Sequence, residues 1–276
     1  MEDDKKATIM KKQDRTTLGR RDFLKLSLVG LAATVGPGVA WKARRAGSHG
    51  DEESEHRWAM VIDQSKCVGC GYCTAACCAH NDVPPAMAWN RVMEDEERDS
   101  YLPIPCMHCQ DPPCVHVCPV QATYARPDGI VMMDYERCIG CRYCEMACPY
   151  SSRRFNWRAF TEANPTVPDW GQPEVPRRPR GVVEKCTFCV QRIDRGLASG
   201  LTPGVDQAAT PACVVACPTG ARMFGDLNDP ESPVSQALAR YPSFRLREDL
   251  GTGPRVYYLP PREKGEREDR QEEVRS

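Results

Sequence analysis

Cysteine is the residue whose number and spacing in this chain point to chemistry. The 276 residues include 17 cysteines, and sixteen of them fall into four groups of four. The groups are Cys67, Cys70, Cys73 and Cys77; then Cys106, Cys109, Cys114 and Cys118; then Cys138, Cys141, Cys144 and Cys148; and last Cys186, Cys189, Cys213 and Cys217. An odd count excludes complete pairing into intramolecular disulfides, and Cys78 is left outside the groups.

The spacing alternates between two patterns along the chain. Groups one and three read C-x2-C-x2-C-x3-C, whereas groups two and four have a C-x2-C pair, an insert, and then C-x3-C-P. This A-B-A-B order indicates an internal duplication. Three thiolates at two-residue spacing can surround one iron–sulfur cubane. The fourth cysteine, three residues on, points away and serves a neighbouring cluster, as in bacterial ferredoxins.

Two other uses of cysteine fit the spacing less well. C-x2-C pairs also build zinc ribbons, but zinc has no use for a third cysteine two residues later. Disulfides across such short ladders would be strained. Spacing and repetition therefore favour iron–sulfur clusters, and an exported zinc-binding module remains the distant alternative.

Short elements are predicted to position these groups. Trp58–Asp63 and residues 129–134 read as strands leading into groups one and three, and Val256–Leu259 reads as a closing strand. Short helices should follow each cysteine triad. The charged residues 93–99 predict a surface helix, and residues 229–240 predict a helix capped by Ser232.

A few side chains near the cysteines have two interpretations each. Lys66 and Lys185 directly precede cluster cysteines, where a cation raises a reduction potential, but each could also face solvent. His108 and His116 lie inside group two and are not needed as ligands, because that group already holds four cysteines. Arg153 follows group three and could meet a partner or pack within a loop.

The N-terminus reads as an export signal. Residues 19–25, GRRDFLK, resemble the twin-arginine motif, and an uncharged stretch over residues 26–40 follows. That stretch is too short to span a bilayer comfortably, and residues 38–40 offer a small-x-small cleavage site. We expect residues 1–40 to be a signal peptide, with a basic amphipathic helix or an uncleaved anchor as the alternative.

Composition and missing motifs narrow the function. The 37 basic and 38 acidic residues nearly balance, which argues against nucleic acid as a partner. A hydrophobic content of 41% is too low for a multi-span membrane protein. There is no G-x-G-x-x-G after a strand, no G-x4-G-K-[ST] and no C-x-x-C-H, so neither a nucleotide nor a covalent haem is expected. No catalytic nucleophile and base pair stands out.

The longer motifs resemble one known family. CMHCQDPPCVHVCPVQA, CIGCRYCEMACPY, EKCTFCVQRID and PACVVACPTGARMFGDLNDPES are together similar to the four-cluster iron–sulfur subunit of molybdopterin oxidoreductases, the dimethyl-sulfoxide reductase type. The resemblance covers about residues 58–260.

The resemblance implies four ligand sets and four [4Fe–4S] clusters. Each set takes the name of one of its cysteines. The Cys67 set and the Cys186 set form an outer pair, and the Cys106 set and the Cys138 set form an inner pair. The Cys67 set is Cys67, Cys70, Cys73 and Cys217; the Cys186 set is Cys186, Cys189, Cys213 and Cys77; the Cys106 set is Cys106, Cys109, Cys114 and Cys148; and the Cys138 set is Cys138, Cys141, Cys144 and Cys118.

The same resemblance implies a fold and its organisation. We expect an α+β fold of duplicated bacterial-ferredoxin-like units, nested as 2×[2(4Fe–4S)], with loop-rich insertions. The outer unit would comprise residues 58–105 plus 181–260 and the inner unit residues 106–160. A proline-rich loop would occupy residues 161–180, and a charged, disordered tail residues 261–276.

The implied function is electron transfer without catalysis by this chain. The protein would relay single electrons between an integral membrane quinone-reactive subunit and a molybdopterin catalytic subunit or multihaem cytochrome. It would be periplasmic, exported folded, and attached to the inner membrane only through its partner. The alternative is an exported cluster-binding or zinc-binding structural or assembly module without redox turnover.

Overall fold

The computed structural model of the chain describes residues 54–96 and 99–262. The predicted signal peptide, residues 1–40, lies outside the described residues. The predicted charged tail also lies outside them from residue 263 onward.

Short elements joined by loops make up the described part of the chain, as expected for the α+β class. The strands are β1 (Trp58–Asp63), β2 (Arg91–Asp95), β3 (Ser100–Ile104), β4 (Thr123–Ala125), β5 (Val131–Met133), β6 (Arg154–Phe155), β7 (Val183–Glu184), β8 (Arg222–Asp226) and β9 (Val256–Leu259). The α-helices are α1 (Tyr72–His80), α2 (Pro113–His116), α3 (Tyr143–Met146), α4 (Val190–Ala198), α5 (Ala212–Val215) and α6 (Pro233–Arg240). Single 3₁₀ turns occupy Pro85–Met87, Gln207–Ala209 and Glu248–Leu250. In residues 54–96 and 99–262, no helix is long and apolar enough to cross a membrane.

A three-stranded sheet joins the two ends of the described chain. Strand β1 lies in the centre, antiparallel to β8 and parallel to β9. All six residues of β1 are buried, which suits its nearly continuous apolar sequence. The Trp58 ring stacks on Phe224 of β8 with centroids 5.6 Å apart. The predictions of β1 and β9 are confirmed.

The prediction of a helix over residues 93–99 is wrong. Residues 93–95 belong to β2, which pairs antiparallel with β3 so that Arg91 lies opposite Ile104. The Arg91 guanidinium also donates to the carbonyl oxygens of Tyr150 and Ser151, at 3.1 and 3.2 Å. These long-range contacts outweigh the helix propensity of the charged run, because strand preference depends on the partner strand.

Two further strand pairs lie near the middle groups of cysteines. Strand β5 occurs inside the predicted range 129–134 and pairs antiparallel with β4, and β6 pairs with β7. The helices α2 and α3 contact each other, and α2 also contacts β4. This arrangement places group two beside group three.

The helix predicted over residues 229–240 begins at Pro233, directly after its predicted cap Ser232. The Ser232 hydroxyl accepts a hydrogen bond from the Ser235 backbone N–H at 3.3 Å, and Pro233 occupies the first turn of α6. Both features are typical of helix N-termini. Residues 229–231 precede the cap and are not helical.

The proline-rich loop packs on helices α1 and α4. The Glu174 carboxylate contacts Arg192 at 2.5 Å, His80 at 2.7 Å and Arg195 at 3.0 Å. Asn164 donates to the carbonyl oxygen of Cys78 at 3.0 Å. The loop is therefore held in place by ion pairs and hydrogen bonds, although it contains no regular helix or strand.

Candidate iron–sulfur centres

The Cys67 set lines one cavity. Cys67, Cys70, Cys73 and Cys217 all border an opening of about 330 Å³. Three of them come from the loop and first turn between β1 and α1, and Cys217 follows α5. Because β1 pairs with β8 and α1 contacts α5, the first and fourth groups meet here although they are distant in sequence.

The Cys106 set lines a second cavity. Cys106, Cys109, Cys114 and Cys148 border an opening of about 320 Å³. Cys148 comes from group three, directly after α3, so this cavity also joins two groups. Each of the two cavities therefore has the same lining: three cysteines from one group and the last cysteine of another.

The Cys186 set is brought together in the buried interior. All four of its cysteines are buried. Burial, together with the nearby charges of Cys186, Cys189 and Cys213, raises the pKa of Cys77 well above its ordinary value. The Asn81 side-chain amide donates to the sulfurs of both Cys77 and Cys189, at 3.8 and 3.5 Å.

The Cys138 set is only partly enclosed. Cys118, Cys138 and Cys144 pack in one apolar cluster with β5 and its neighbours. The Cys118 sulfur accepts a hydrogen bond from the Ala122 backbone N–H at 3.1 Å. Cys141, the remaining member of the set, is exposed.

Burial makes several of the grouped thiols weaker acids than an ordinary cysteine. Burial raises the pKa of Cys186 and Cys109 to about 12, and it also raises the pKa of Cys213. Such thiols stay protonated at neutral pH unless bound cations compensate the thiolate charge, so cluster binding would release their protons. Across the described residues, no three His, Cys, Asp or Glu side chains are grouped to hold a single metal ion. The fit to a cluster rests instead on the four-thiol lining of each cavity.

Comparison with known proteins identifies the kind of domain. Models of a 4Fe-4S dicluster domain match residues 98–164 and 137–221, and a model of a 4Fe-4S binding domain matches residues 60–77. All sixteen grouped cysteines fall inside these matches.

Curated relatives cover most of the chain. The iron–sulfur cluster-binding subunit of menaquinone reductase from Nitratidesulfovibrio vulgaris is 44% identical over 239 residues, covering 77% of this chain and 92% of the relative. The iron–sulfur subunit of arsenate respiratory reductase from a Shewanella species is 37% identical over 236 residues, covering 74% and 96%. A tetrathionate reductase subunit from Salmonella typhimurium is 35% identical over 251 residues, covering 87% of each chain. The chain belongs to the family of iron–sulfur subunits of respiratory molybdoenzyme reductases.

Membership of this family confirms the sequence-based prediction of electron transfer. It supports an iron–sulfur subunit with 4Fe–4S clusters over the zinc-binding or structural alternative. In this iron–sulfur subunit, the cysteines are the candidate cluster ligands that sequence spacing could find.

Several polar residues around the thiols were missed by the sequence analysis. Asn90 donates to the Cys73 sulfur at 3.2 Å, and its side-chain oxygen accepts from Arg222 at 2.6 Å. Arg222 also donates to the Cys213 sulfur at 3.8 Å. Asn90 stands outside the quoted cysteine motifs, whereas Arg222 lies in the last of them, after Cys217. The available signal was a cation at the start of strand β8.

The two histidines inside group two, His108 and His116, form hydrogen bonds with groups other than the thiols. Nδ1 of the buried His108 accepts from the Val131 backbone N–H at 3.0 Å, and its ring stacks on Phe188. Burial and the neighbouring Lys185 charge hold the pKa of His108 well below its ordinary value, so the ring is neutral. His116 is exposed and pairs with Asp111 at 2.6 Å.

The last cysteine, Cys78, and the two lysines that precede cluster cysteines differ in their exposure to solvent. Cys78 is 1% exposed in the apolar core, and burial raises its pKa to about 12. Lys66 is exposed, whereas Lys185 is fully buried. The two lysines that precede cluster cysteines are therefore not equivalent.

Proposed function

We propose that this iron–sulfur protein holds four [4Fe–4S] clusters in the four cysteine sets and relays single electrons between two partner subunits. The observation that carries the proposal is the pair of cavities, each lined by four cysteines from two separate groups. A bound cluster supplies a one-electron carrier whose potential depends on charge, hydrogen bonds and burial around its ligands. The chain positions these carriers and binds no substrate.

Contacts between the sets support one order along the relay. Cys73 and Cys213 both neighbour Arg222, which supports a position of the Cys67 set beside the Cys186 set. After burial, the charge of Cys106 is the largest influence that raises the pKa of Cys186, which supports the Cys106 set as the next in the relay. Burial and the charge of Cys114 raise the pKa of Cys144, although Arg153 opposes them, and this supports the Cys138 set as the last.

The solvent exposure of individual cysteines supports the same two sets as the ends of the relay. Of the sixteen grouped cysteines, all within the described residues, Cys70 and Cys141 are exposed. They belong to the Cys67 set and the Cys138 set, the first and last in the proposed order. Electrons would enter at one of these ends and leave at the other.

Strand pairing supports the nested arrangement of the units. Strand β1 hydrogen-bonds with β8 and β9, so residues 58–105 share a sheet with residues 181–260. The β4–β5 pair and helices α2 and α3 lie within residues 106–160. We propose the outer and inner units on this basis.

Partner subunits are proposed from the relatives and from one exposed surface. The names menaquinone reductase and tetrathionate reductase support a quinone-reactive membrane subunit and a molybdopterin catalytic subunit, with a multihaem cytochrome as the alternative to the latter. Apolar side chains of Ile139, Tyr143, Met146 and Trp157 are each more than 60% exposed near Cys141. Exposed apolar patches of this kind support a subunit contact at the Cys138 end.

Export by the twin-arginine route is proposed from the sequence of residues 19–40. It would deliver a folded, cluster-loaded protein to the periplasm, at the inner membrane surface. Replacing Arg20 and Arg21 together by lysine should leave the full-length precursor in the cytoplasm. Unchanged export of that variant would overturn the proposal of a twin-arginine signal.

The cofactor proposal is tested by analysis of anaerobically purified protein. Four clusters predict about 16 iron atoms per chain, a matching amount of sulfide, and a spectrum of interacting clusters by EPR after reduction with dithionite. Stoichiometric zinc with almost no iron would overturn the proposal and leave the binding-module alternative.

Paired variants test how the ligands are shared. If the Cys67 set is correct, Cys67→Ser and Cys217→Ser should abolish the same EPR signal, and Cys77→Ser should abolish a different one. If each group instead held its own cluster, Cys67→Ser and Cys77→Ser would abolish the same signal. The comparison separates the nested arrangement from a sequential one without requiring turnover.

A further inference from the structure

Buried cations fall into two classes in the part of the chain that the structure describes. Five Lys or Arg side chains are buried there. Two form ion pairs with carboxylates: Arg178 with Glu184 at 3.1 Å, and Arg192 with Glu174 at 2.5 Å. The other three, Arg153, Lys185 and Arg222, have 1%, 0% and 3% of their surface exposed and pair with no carboxylate of the described residues. Because an unpaired buried charge is costly, these three require another source of negative charge.

Arg222 connects the Cys67 set to the Cys186 set. One guanidinium nitrogen donates to the Cys213 sulfur at 3.8 Å. A second guanidinium nitrogen donates to the Asn90 side-chain oxygen at 2.6 Å, and the Asn90 amide donates to the Cys73 sulfur at 3.2 Å. Burial alone would lower the pKa of Arg222, but the thiolate charges of Cys73 and Cys213 raise it.

Lys185 lies between the Cys186 set and the Cys106 set. It directly precedes Cys186, and its ammonium group donates to the Cys186 carbonyl oxygen at 2.8 Å and to the Val131 carbonyl oxygen. Burial lowers the pKa of Lys185, and the charges of Cys106, Cys186 and Cys114 oppose that shift. Both sets therefore contribute negative charge near its side chain.

Arg153 lies between the Cys106 set and the Cys138 set. Its guanidinium donates to the Thr123 hydroxyl at 2.7 Å and to the Met133 sulfur at 3.5 Å, which fixes it against β4 and β5. It lines the cavity of the Cys106 set. Burial alone would lower the pKa of Arg153, but the charges of Cys114 and of Cys144, a member of the Cys138 set, raise it.

We propose that Arg222, Lys185 and Arg153 are junction cations, one at each step between neighbouring cluster sites, which stabilise the negative charge on both sides of their step. The proposal rests on the four cluster sites proposed above. An electron that arrives at a site adds negative charge, and a buried cation interacts with that charge with little screening by solvent. Each junction cation should therefore raise the reduction potentials of two adjacent clusters together.

The three junction cations are shared unequally among the four cluster sites. The Cys186 site and the Cys106 site each face two junction cations, whereas the two end sites each face one. Loss of a single junction cation should change the potentials of two neighbouring clusters and spare the other two. A cation that served only to fill space would produce no such pairwise pattern.

The test uses anaerobically purified full-length protein and redox titration followed by EPR, with each signal assigned by the cysteine variants above. Arg222→Gln removes the charge, Arg222→Lys keeps it, and Lys66→Gln removes an exposed charge directly before Cys67. Iron and sulfide contents equal to those of the unmodified protein establish that the clusters are present. Fewer than about 16 iron atoms in the unmodified protein would count against the proposed function, not against the junction cations.

Arg222→Gln should lower the midpoint potentials of the Cys67 and Cys186 clusters by at least a tenfold change in the reduction equilibrium, 59 mV for one electron. Arg222→Lys should restore most of the loss, and Lys66→Gln should leave all four potentials in place. If Arg222→Gln does not fold, Arg153→Gln should lower the potentials of the Cys106 and Cys138 clusters instead. Fully loaded variants with unchanged potentials, or an equal effect of Lys66→Gln, would overturn the proposal.

Discussion

Two adjacent cysteines on helix α1 offer a sharp test of the ligand assignment. Cys77 and Cys78 have 4% and 1% of their surface exposed, so both are buried on the same element. Cys77 lies among Cys186, Cys189 and Cys213, whereas Cys78 packs in the apolar core and belongs to none of the four sets. We predict that Cys77→Ala lowers the iron content, whereas Cys78→Ala lowers the free energy of unfolding and leaves the iron content unchanged.

The expected magnitudes follow from these surroundings. Cys77→Ala removes one of four ligands, so the iron content should fall from about 16 atoms per chain to between about 12 and about 15, depending on whether three irons remain at the site. Cys78→Ala removes one buried sulfur and leaves a cavity about the size of a methyl group, which costs about 1 kcal/mol of unfolding free energy. The iron content of Cys78→Ala should not change.

Iron and sulfide analysis, EPR after reduction and chemical denaturation of the two variants provide the assay. The same EPR signal that Cys77→Ala loses should also be lost in Cys213→Ala, since both belong to the Cys186 set. Retention of all iron in Cys77→Ala would refute the assignment of Cys77. Loss of a cluster in Cys78→Ala would refute the reasoning that a buried thiol outside the sets is only a packing residue.

Three further predictions concern the scaffold. Ser232→Ala removes the cap that accepts from the Ser235 N–H and should cost about 1 kcal/mol in denaturant unfolding, with unchanged iron. Phe224→Ala removes a fully buried ring stacked on Trp58 and should cost about 3–5 kcal/mol, whereas a loss below 1 kcal/mol would contradict the packing described. Burial alone would raise the pKa of Glu174, but its two arginine partners and a histidine hold it below the ordinary value. The loop should therefore be held firmly above about pH 4.3 and be released as the pH falls through the lowered pKa. Limited proteolysis of the loop should show that dependence, and Glu174→Gln should show fast cleavage at every pH.

The sequence predicted those parts of the site that depend on local spacing. The sixteen cysteines are recognisable because cluster ligation requires fixed intervals within a group, and β1 and the start of α6 follow from an apolar run and a capping serine. Residues 93–99 were assigned wrongly, because their charges suit a helix when the pairing of β2 with β3 is unknown.

The neighbours of the thiols lay beyond sequence reasoning for a physical reason. Asn90 and Arg222 are far apart in sequence, yet the Arg222 guanidinium donates to the Asn90 side-chain oxygen at 2.6 Å in the folded chain. Lys66 and Lys185 have the same position relative to a cysteine, yet one is exposed and the other is fully buried. Burial is a property of the tertiary structure, so a pattern of residue types could not separate them.

The pairing of β1 with β8 and β9 also sets the order of events during synthesis. The first cysteine group leaves the ribosome early, but the strands that complete its sheet, and Cys217, emerge only near the end of translation. The Cys106 and Cys138 sets are complete once residue 148 has emerged. We therefore expect the inner sites to mature before the outer ones, and iron incorporation into stalled nascent chains of increasing length would measure it. On the proposed ligand sets, the cysteines of the outer pair of sites would stay reduced and unfilled until the chain is almost finished.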